Sequence, residues 1–188
     1  MGKDKAMSHP IKHFMTITRH RNKVIAHCFK AGIGWQGLFH DLSKYSPTEF
    51  IPGAKYYLGD RSPTEKEREI NGSSLAWMHH KGRNKHHFEY WTDVNLVTKN
   101  YEPVEMPLRY IIEMFCDRIA ASKIYQGDKY TDASALNYYN RGRARDKIHK
   151  NTAAILEEWL NMLAEKGEVE TFAYIKKLYR ESRRNKKK

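Results

Sequence analysis

The stretch PLRYIIEMFCDRIAASKIYQG, residues 107–127, decides how this chain folds. Pro107 suits the first position of a helix and Gly127 its end, so the stretch predicts one long helix. Its apolar side chains lie on two opposite sides, one formed by Leu108, Ile112, Phe115 and Ile119 and the other by Tyr110, Met114, Ala121 and Ile124. A helix that is apolar all round belongs in the centre of a protein. The other elements are therefore expected to pack around it.

One carboxylate, Asp117, lies among the apolar residues of this helix. Burying an aspartate costs several kcal/mol unless the carboxylate is paired with a cation or bound to a metal. Arg109, Arg118 and Lys123 on the same helix are candidate ion-pair partners. A metal ion is the other solution, and it needs further ligands from elsewhere in the chain.

Outward from this helix, the sequence predicts more helices and no β-rich alternation of any length. The sequence Ser-Pro-Thr-Glu occurs at 46–49 and again at 62–65, and each copy suits a helix start, with Ser as the cap, Pro at the first position and Glu completing a capping box. The remaining predicted helical segments are Pro10 to Lys30 (ending near Gly32), Trp35 to Lys44, about 147–165 and about 168–182, with Gly167 dividing the last two. Residues 128–145 are expected to form a loop with a helical turn.

These features predict an all-α fold, a single-domain helical bundle over residues 8–182 that ends in a helical pair. The basic tail at 183–188 is expected to be disordered. The chain has 188 residues, which are enough for one hydrophobic core, and its aromatic content of 12% is typical of a folded protein. No apolar run approaches the ~18 residues of a membrane span. Neither cysteine, Cys28 nor Cys116, belongs to a CxxC or staple pattern, so we expect a reduced, cytoplasmic protein without a membrane partner.

Charge and histidine content point to possible ligands of the chain. The formal net charge of +12 attracts anionic partners, although it says nothing about the fold. The ten histidines cluster: His20 lies on the first helix, His40 precedes Asp41, and the run HHKGRNKHH occupies residues 79–87. Imidazole and carboxylate groups are the preferred ligands of zinc, iron, manganese and similar ions. The set therefore favours a metal site.

The position of His40 beside Asp41 restricts how the two can bind a metal. Adjacent residues on a helix diverge by about 100°, so this pair can share one ion only at a bend, or can bridge two ions. His20 and Asp117 are the obvious further ligands. The alternatives are that His13, His20 and His27, spaced seven apart on one helical stripe, are ordinary core residues and that the 79–87 run is a solvated basic loop.

Three short motifs resemble those of the HD superfamily of metal-dependent phosphohydrolases. His20 followed by Val24 resembles its HxxxV motif, LFHDLSK at 38–44 resembles its LxHDxxK core, and CDRI at 116–119 resembles its terminal aspartate motif. The resemblance implies an HD-type helical bundle and a metal site formed by His20, His40, Asp41 and Asp117. The gap from His20 to His40 is shorter than in most HD proteins, which leaves His27 as a substitute for His20.

Two longer stretches resemble a narrower family of small bacterial and phage proteins related to the HD superfamily. They are QGLFHDLSKYSPTEF at 36–50 and AWMHHKGRNKHHFEYW at 76–91, and the resemblance extends over about residues 15–125. Members of that family often carry the label "catalase", but nothing in this sequence supports haem catalase chemistry. The narrower resemblance implies no established activity.

The additional histidines resemble those of the dinuclear HD branches, which are cyclic-dinucleotide phosphodiesterases and mixed-valent di-iron oxygenases. By this resemblance, one of His79 and His80 and one of His86 and His87 complete a second metal position, and His80 and His87 are favoured. The expected cofactor is one or two divalent transition-metal ions: Mn, Fe, Co, Ni or Zn.

The resemblance also implies roles in hydrolysis of a phosphate ester or nucleotide. A bound metal lowers the pKa of its water toward ~7 and produces a hydroxide nucleophile. Asp41 is expected to orient that water, Lys44 to stabilise the phosphate charge, and Arg83 to grip a phosphate with both ends of its guanidinium.

Further substrate contacts are expected from the 79–91 segment. Lys81 would add to an electropositive rim with Arg83, and Tyr90 and Trp91 would stack on a base, with plain packing as the alternative for these aromatics. Two other functions stay open: a di-iron oxygenase acting on a small polar substrate, and a non-enzymatic basic protein that binds nucleic acid. The iron content distinguishes the oxygenase from a hydrolase, and an absence of metal favours the nucleic-acid-binding protein.

Overall fold

The fold is known from a computed structural model, which describes residues 8–185. Within this range the chain is mostly helical, so the predicted all-α class is confirmed. The elements are α1 (Pro10–Ala31), α2 (Gly34–Gly37), α3 (Pro47–Lys55), α4 (Pro63–Asn71), α5 (Leu75–Lys81), β1 (Thr92–Val94), β2 (Tyr101–Pro103), α6 (Leu108–Gln126), α7 (Ser134–Arg141) and α8 (Lys150–Asn185).

Helix α6 is the central element, as its sequence predicts. It packs against α1, α7 and α8. Its fully buried side chains include Ile112, Phe115 and Ile119, and Phe115 meets the ring of Trp159 from α8 edge to face. This burial on all sides explains why the helix is apolar all round.

Helix α1 begins and ends where the sequence predicts. Pro10 occupies its first turn, and Gly32 ends it in the left-handed conformation at φ 87°, where a glycine pays no steric cost. Ile17 and Val24 lie on its buried stripe, which faces α6. This stripe also buries His13, His20 and His27.

The segment that carries the His-Asp pair is a bend, and the predicted continuous helix from Trp35 to Lys44 is wrong. Helix α2 ends at Gly37, a turn follows, and a 3-10 turn covers Leu42–Tyr45. Between them Asp41 adopts the left-handed conformation, with φ 54° and ψ 26°. The bend provides the geometry that two adjacent ligands require, because His40 and Asp41 no longer diverge as they would on a helix.

The two Ser-Pro-Thr-Glu segments start helices without forming capping boxes. Helices α3 and α4 begin at Pro47 and Pro63, as predicted, but neither preceding serine caps its helix with its side chain. The hydroxyl of Ser46 instead donates to the carbonyl of Ser43 at 2.7 Å. The Glu49 carboxylate accepts hydrogen bonds from two histidines of α5, so a tertiary contact replaces the local one.

The remaining elements differ from the predicted ones in three details. A short antiparallel hairpin pairs β1 with β2, Asp93 opposite Glu102, in a region where no strand was predicted. The predicted closing pair of helices is α8, interrupted at Gly167, whose φ of 76° and ψ of 178° are not helical. Helix α8 continues to Asn185, past the predicted domain end at 182, and residues 186–188 of the predicted disordered tail lie outside the described residues.

No helix between residues 8 and 185 combines the length and hydropathy needed to cross a membrane.

Candidate metal centre

Two groups of potential metal ligands meet at one carboxylate. The first ligand group contains His20, His40, Asp41 and Asp117, and the second contains Asp41, His80, His86 and His87. Within each group the ligand atoms lie within 4.8 Å of one another. Asp41 belongs to both groups, so the two positions share one aspartate.

The first ligand group joins α1, the bend and α6. Nε2 of His20 lies 2.9 Å from Oδ1 of Asp117 and 3.8 Å from Oδ2 of Asp41. Nε2 of His40 lies 3.2 Å from Oδ2 of Asp41 and 3.6 Å from Oδ1 of Asp117. Asp117 makes its short contacts with these imidazoles, and the alternative ion pairs with Arg109, Arg118 or Lys123 do not form among the described residues.

The second ligand group lies on the other oxygen of the same carboxylate. Oδ1 of Asp41 lies 3.3 Å from Nε2 of His80 and 3.5 Å from Nε2 of His86. Nε2 of His80 and Nε2 of His87 are 2.8 Å apart. The two oxygens of Asp41 therefore face different groups, which is the arrangement of a bridging carboxylate.

Several of these atoms are buried and have no hydrogen-bond partner in acceptable geometry. They are Nε2 of His20, His40 and His86 and both carboxylate oxygens of Asp41. Buried polar atoms in proteins are almost always satisfied, and an unsatisfied one costs about 1–3 kcal/mol. Several such atoms that converge on two points fit the ligand sets of two metal ions.

Two glutamates contact the Nδ1 atoms of three imidazoles in the ligand groups. Nδ1 of His40 donates to Oε1 of Glu113 at 2.9 Å, and Nδ1 of His86 lies 3.3 Å from the same oxygen. Nδ1 of His80 donates to Oε2 of Glu49 at 2.8 Å. A carboxylate on one ring nitrogen fixes the tautomer and leaves the other nitrogen free to bind a metal. All three imidazoles therefore direct Nε2 toward Asp41.

The electrostatic surroundings keep the carboxylates ionised. Burial alone would raise the pKa of Asp41, but the charges of His40, Lys44 and His80 hold it well below its ordinary value. Burial also opposes ionisation of Glu113, yet hydrogen bonds from His40 and His86 lower its pKa to about 2. Ionised carboxylates are the forms that bind metals.

Two imidazoles are held neutral by their surroundings. Burial lowers the pKa of His20, an effect that the charge of Lys44 reinforces. Burial also lowers the pKa of His87, followed by the charges of His86 and His80. A neutral imidazole is the metal-binding form.

The ligand groups open into a cavity of about 810 Å³. Its wall includes His20, Lys44, His80, His87 and Asp117, so ligands of both groups are reached from it. Nζ of Lys44 lies 2.6 Å from Oδ2 of Asp41. Burial alone would lower the pKa of Lys44, but the nearby charges of Asp41 and Asp117 raise it, so the side chain stays cationic.

The structure brings together all six residues predicted as metal ligands: His20, His40, Asp41, His80, His87 and Asp117. His27, the substitute for His20, lies apart; its Nδ1 is 3.3 Å from the carbonyl oxygen of Cys116, and its ring stacks on Phe172. His79 lies outside both groups and contacts Glu49 at 2.6 Å. His86 is an additional member, which the choice of one histidine from each pair did not include.

The predicted substrate contacts from the 79–91 segment are not brought to the cavity. Lys81, Arg83, Tyr90 and Trp91 are absent from its wall. Arg83 is exposed and donates to the carbonyl of His79 at the end of α5. The Trp91 indole donates to the carbonyl of Lys85 and packs beside Tyr110, so its role is packing. Lys44 is the predicted substrate residue that does line the cavity.

The residues that sequence reasoning missed are the supporting glutamates. Glu113 was hidden among the apolar residues of α6, although it precedes Asp117 by four positions and so lies one turn away on the same side. Glu49 was assigned to a capping box because of its local sequence. An acidic residue on a helix that is apolar all round is the signal that could have identified Glu113.

Comparison with known proteins places the chain in one family. Searches of curated proteins and of solved structures each gave no match. One family model matches residues 9–162, a range that contains every member of both ligand groups as well as Glu49 and Glu113. That match covers most of the chain, and the chain therefore belongs to DUF5662, a family of unknown function.

Proposed function

We propose that this protein is a metal-dependent hydrolase of phosphate esters with a dinuclear centre bridged by Asp41. The observation that carries the proposal is the position of the Asp41 carboxylate, whose Oδ2 faces His20 and His40 and whose Oδ1 faces His80 and His86. The resemblance of the His20, His40-Asp41 and Asp117 motifs to the HD superfamily supports the same reaction class.

The ligand chemistry defines which ions fit. The first ligand group would hold one ion with two imidazoles and two carboxylates, and the second would hold another with three imidazoles and the shared carboxylate. Mixed nitrogen and oxygen sets of this kind suit Mn, Fe, Co, Ni and Zn. When bound, such ions lower the pKa of a coordinated water toward ~7 and supply a nucleophile at neutral pH.

The chain's own residues would bind and orient the phosphate. Lys44 is cationic, lines the cavity and lies beside Asp41, which suits it to stabilise negative charge on a phosphoryl group. Asp41 would fix the position of the nucleophile relative to that group. Glu49 and Glu113 would keep the imidazoles in one orientation through the reaction.

A small molecule fits the site better than a polymer. The cavity volume of about 810 Å³ lies within the range of about 300–1,000 Å³ that is typical of small-molecule sites. The net charge of +12 favours an anionic ligand over a neutral one. We therefore propose a nucleotide or another small phosphate ester as the substrate.

A second candidate function is a di-iron oxygenase. The preponderance of imidazole ligands, five histidines against two aspartates across the two groups, is also suited to iron. The identity of the metal separates the two functions. Two irons per chain with a mixed-valent electron paramagnetic resonance signal favour the oxygenase, whereas activity with Mn, Co or Ni favours the hydrolase.

Elemental analysis tests the metal centre directly. Protein purified without added metal is compared with Asp41→Ala and with His149→Ala, whose histidine lies outside both ligand groups. We expect about two transition-metal ions per chain in the wild type and in His149→Ala, and loss of both in Asp41→Ala. A metal-free wild type, or an Asp41→Ala variant with its full metal content, contradicts the proposal. A screen of phosphomonoesters and phosphodiesters with Mn, Co and Ni then tests the reaction class.

A further inference from the structure

Arg118 lies on the wall of the same cavity but outside both ligand groups. It follows Asp117 on α6, and adjacent helical residues point about 100° apart. The two side chains therefore reach different parts of one cavity: Asp117 reaches the metal centre, and Arg118 a region lined also by Glu89, Tyr138 and Tyr139.

The Arg118 side chain is half-buried and has no ionic partner in the described part of the chain. Its Nε is inaccessible and has no hydrogen-bond partner. Among residues 8–185 no carboxylate oxygen comes within the 4.0 Å of a salt bridge with it. The guanidinium lies over the ring of Tyr139, whose centroid is 5.5 Å from the guanidinium carbon. A guanidinium with no salt bridge and with a shielded, unpartnered Nε has unused capacity to bind an anion.

The neighbouring carboxyl does not use that capacity. Oε2 of Glu89 is likewise buried and without a hydrogen-bond partner, and Glu89 lines the same cavity. Burial raises the pKa of Glu89, although the charge of Arg118 acts in the opposite direction. Glu89 and Arg118 line one cavity without forming a salt bridge, so the guanidinium stays available to a ligand in that cavity.

The shape of the guanidinium defines the ligand. Its N–H groups form a planar fork that matches two oxygens of a carboxylate or a phosphate. We propose that Arg118 forms an anion subsite, which binds a carboxylate or phosphate at the end of the substrate remote from the metal centre. This inference rests on the proposed function for the other end of the molecule. It narrows the substrate class to small molecules that carry two anionic groups.

Phosphonates that differ only in a terminal carboxylate test the subsite. The ligands are phosphonoacetate, 3-phosphonopropionate and 4-phosphonobutyrate, each paired with the alkylphosphonate of the same carbon number. Binding to the Mn²⁺-loaded protein is measured by isothermal titration calorimetry. At the chain length that spans the two sites, we expect the carboxylate to tighten binding by about ten- to a hundredfold, the usual gain from hydrogen bonds to a charged group. The matching α,ω-diphosphonates show whether phosphate is preferred to carboxylate at the remote end.

Three variants assign the gain to one side chain. Arg118→Met is expected to abolish the carboxylate gain and to leave binding of the alkylphosphonates unchanged. Arg118→Lys keeps the charge without the fork and should retain part of the gain. Arg141→Met removes the same charge from an exposed position on the cavity wall and should retain all of it. The melting temperature of each variant is measured alongside, so that a loss of the gain is ascribed to the side chain only in a folded protein.

The outcomes separate this inference from the proposed function. If the carboxylate adds nothing at any chain length, or if the gain survives in Arg118→Met, the anion subsite is disproved. Alkylphosphonates that fail to bind, while a carboxylate-bearing ligand binds through Arg118, count against the metal-phosphate site alone. If neither series binds, both proposals are overturned.

Discussion

Nδ1 of His40 and Oε1 of Glu113 lie 2.9 Å apart in the buried interior, and the same oxygen lies 3.3 Å from Nδ1 of His86. His40 belongs to the first ligand group and His86 to the second. One carboxylate on α6 therefore contacts an imidazole of each ligand group. Glu113 links the two groups through their Nδ1 atoms, and Asp41 belongs to both groups.

Replacing Glu113 with Gln is expected to weaken metal binding at both positions. Gln keeps the size of the side chain but loses the charge that makes the imidazoles basic, and such partners contribute about ten- to a hundredfold to metal affinity. Titration of Co²⁺ or Mn²⁺ measures the change, with Glu105→Gln on the surface as the control. Unchanged affinity at both positions would show that Glu113 does not support the ligands.

Replacing Glu49 with Gln should affect one position only. Among the members of the two ligand groups, Glu49 contacts His80 of the second group. We expect Glu49→Gln to retain one tightly bound ion per chain and to lose affinity for the other by about ten- to a hundredfold. Equal loss of both ions would contradict the assignment of His80 to a separate position.

The histidines of the 79–87 segment should differ sharply in their effect on metal content. His86→Ala removes a member of the second ligand group, so we expect about one ion per chain. His79→Ala removes an imidazole that contacts Glu49 outside both groups, so we expect the full content of metal. Elemental analysis of the two purified variants checks the difference, and the reverse order would refute the placement of both residues.

Stability of the metal-free chain should fall in mild acid because of His27. Burial lowers the pKa of His27 to about 4, from an ordinary value of 6.5. Between these values the unfolded chain binds more protons than the folded one, so the free energy of unfolding decreases as the pH falls through this window. We expect a contribution of about 2–3 kcal/mol by pH 4.5.

His27→Gln tests that contribution. Gln can donate to the Cys116 carbonyl, as His27 does, but does not titrate. Urea unfolding with a chelator at pH 7 and at pH 4.5 should show a smaller loss for His27→Gln than for the wild type, and an unaltered loss for the control His149→Gln. An identical pH dependence in all three proteins would exclude His27 as the cause.

Much of the helical framework could be predicted because its signals are local. Pro10 and Gly32 mark the ends of α1, and the apolar residues of α6 predict its central position. The left-handed backbone of Asp41 could not be predicted, because its carboxylate is held by His20 of α1 and His80 of α5, which are distant in sequence, as well as by the nearby Lys44.

The same reason explains the outcomes at the site. The six ligands could be predicted because imidazole and carboxylate groups are typical metal ligands, whichever element carries them. Glu49 was assigned to a cap because its local pattern is strong, whereas its contact with His80 spans 31 residues. Lys81 and Arg83 were expected at the cavity because they are basic and close in sequence to His80, but the end of α5 does not bring them to its wall.

At Asp41 the backbone conformation favours glycine, whereas the ligand groups require a carboxylate. For a residue with a Cβ atom the left-handed conformation costs about 1–2 kcal/mol, and for glycine it does not. Asp41 is also a buried anion whose carboxylate lies between Lys44 and the ligand imidazoles. Asp41→Gly relieves the backbone conformation but leaves Lys44 without its ionic partner, and we expect a protein that does not retain metal, as elemental analysis would show. Glycine would adopt this backbone conformation more easily, but only a carboxylate at this position can face both ligand groups at once.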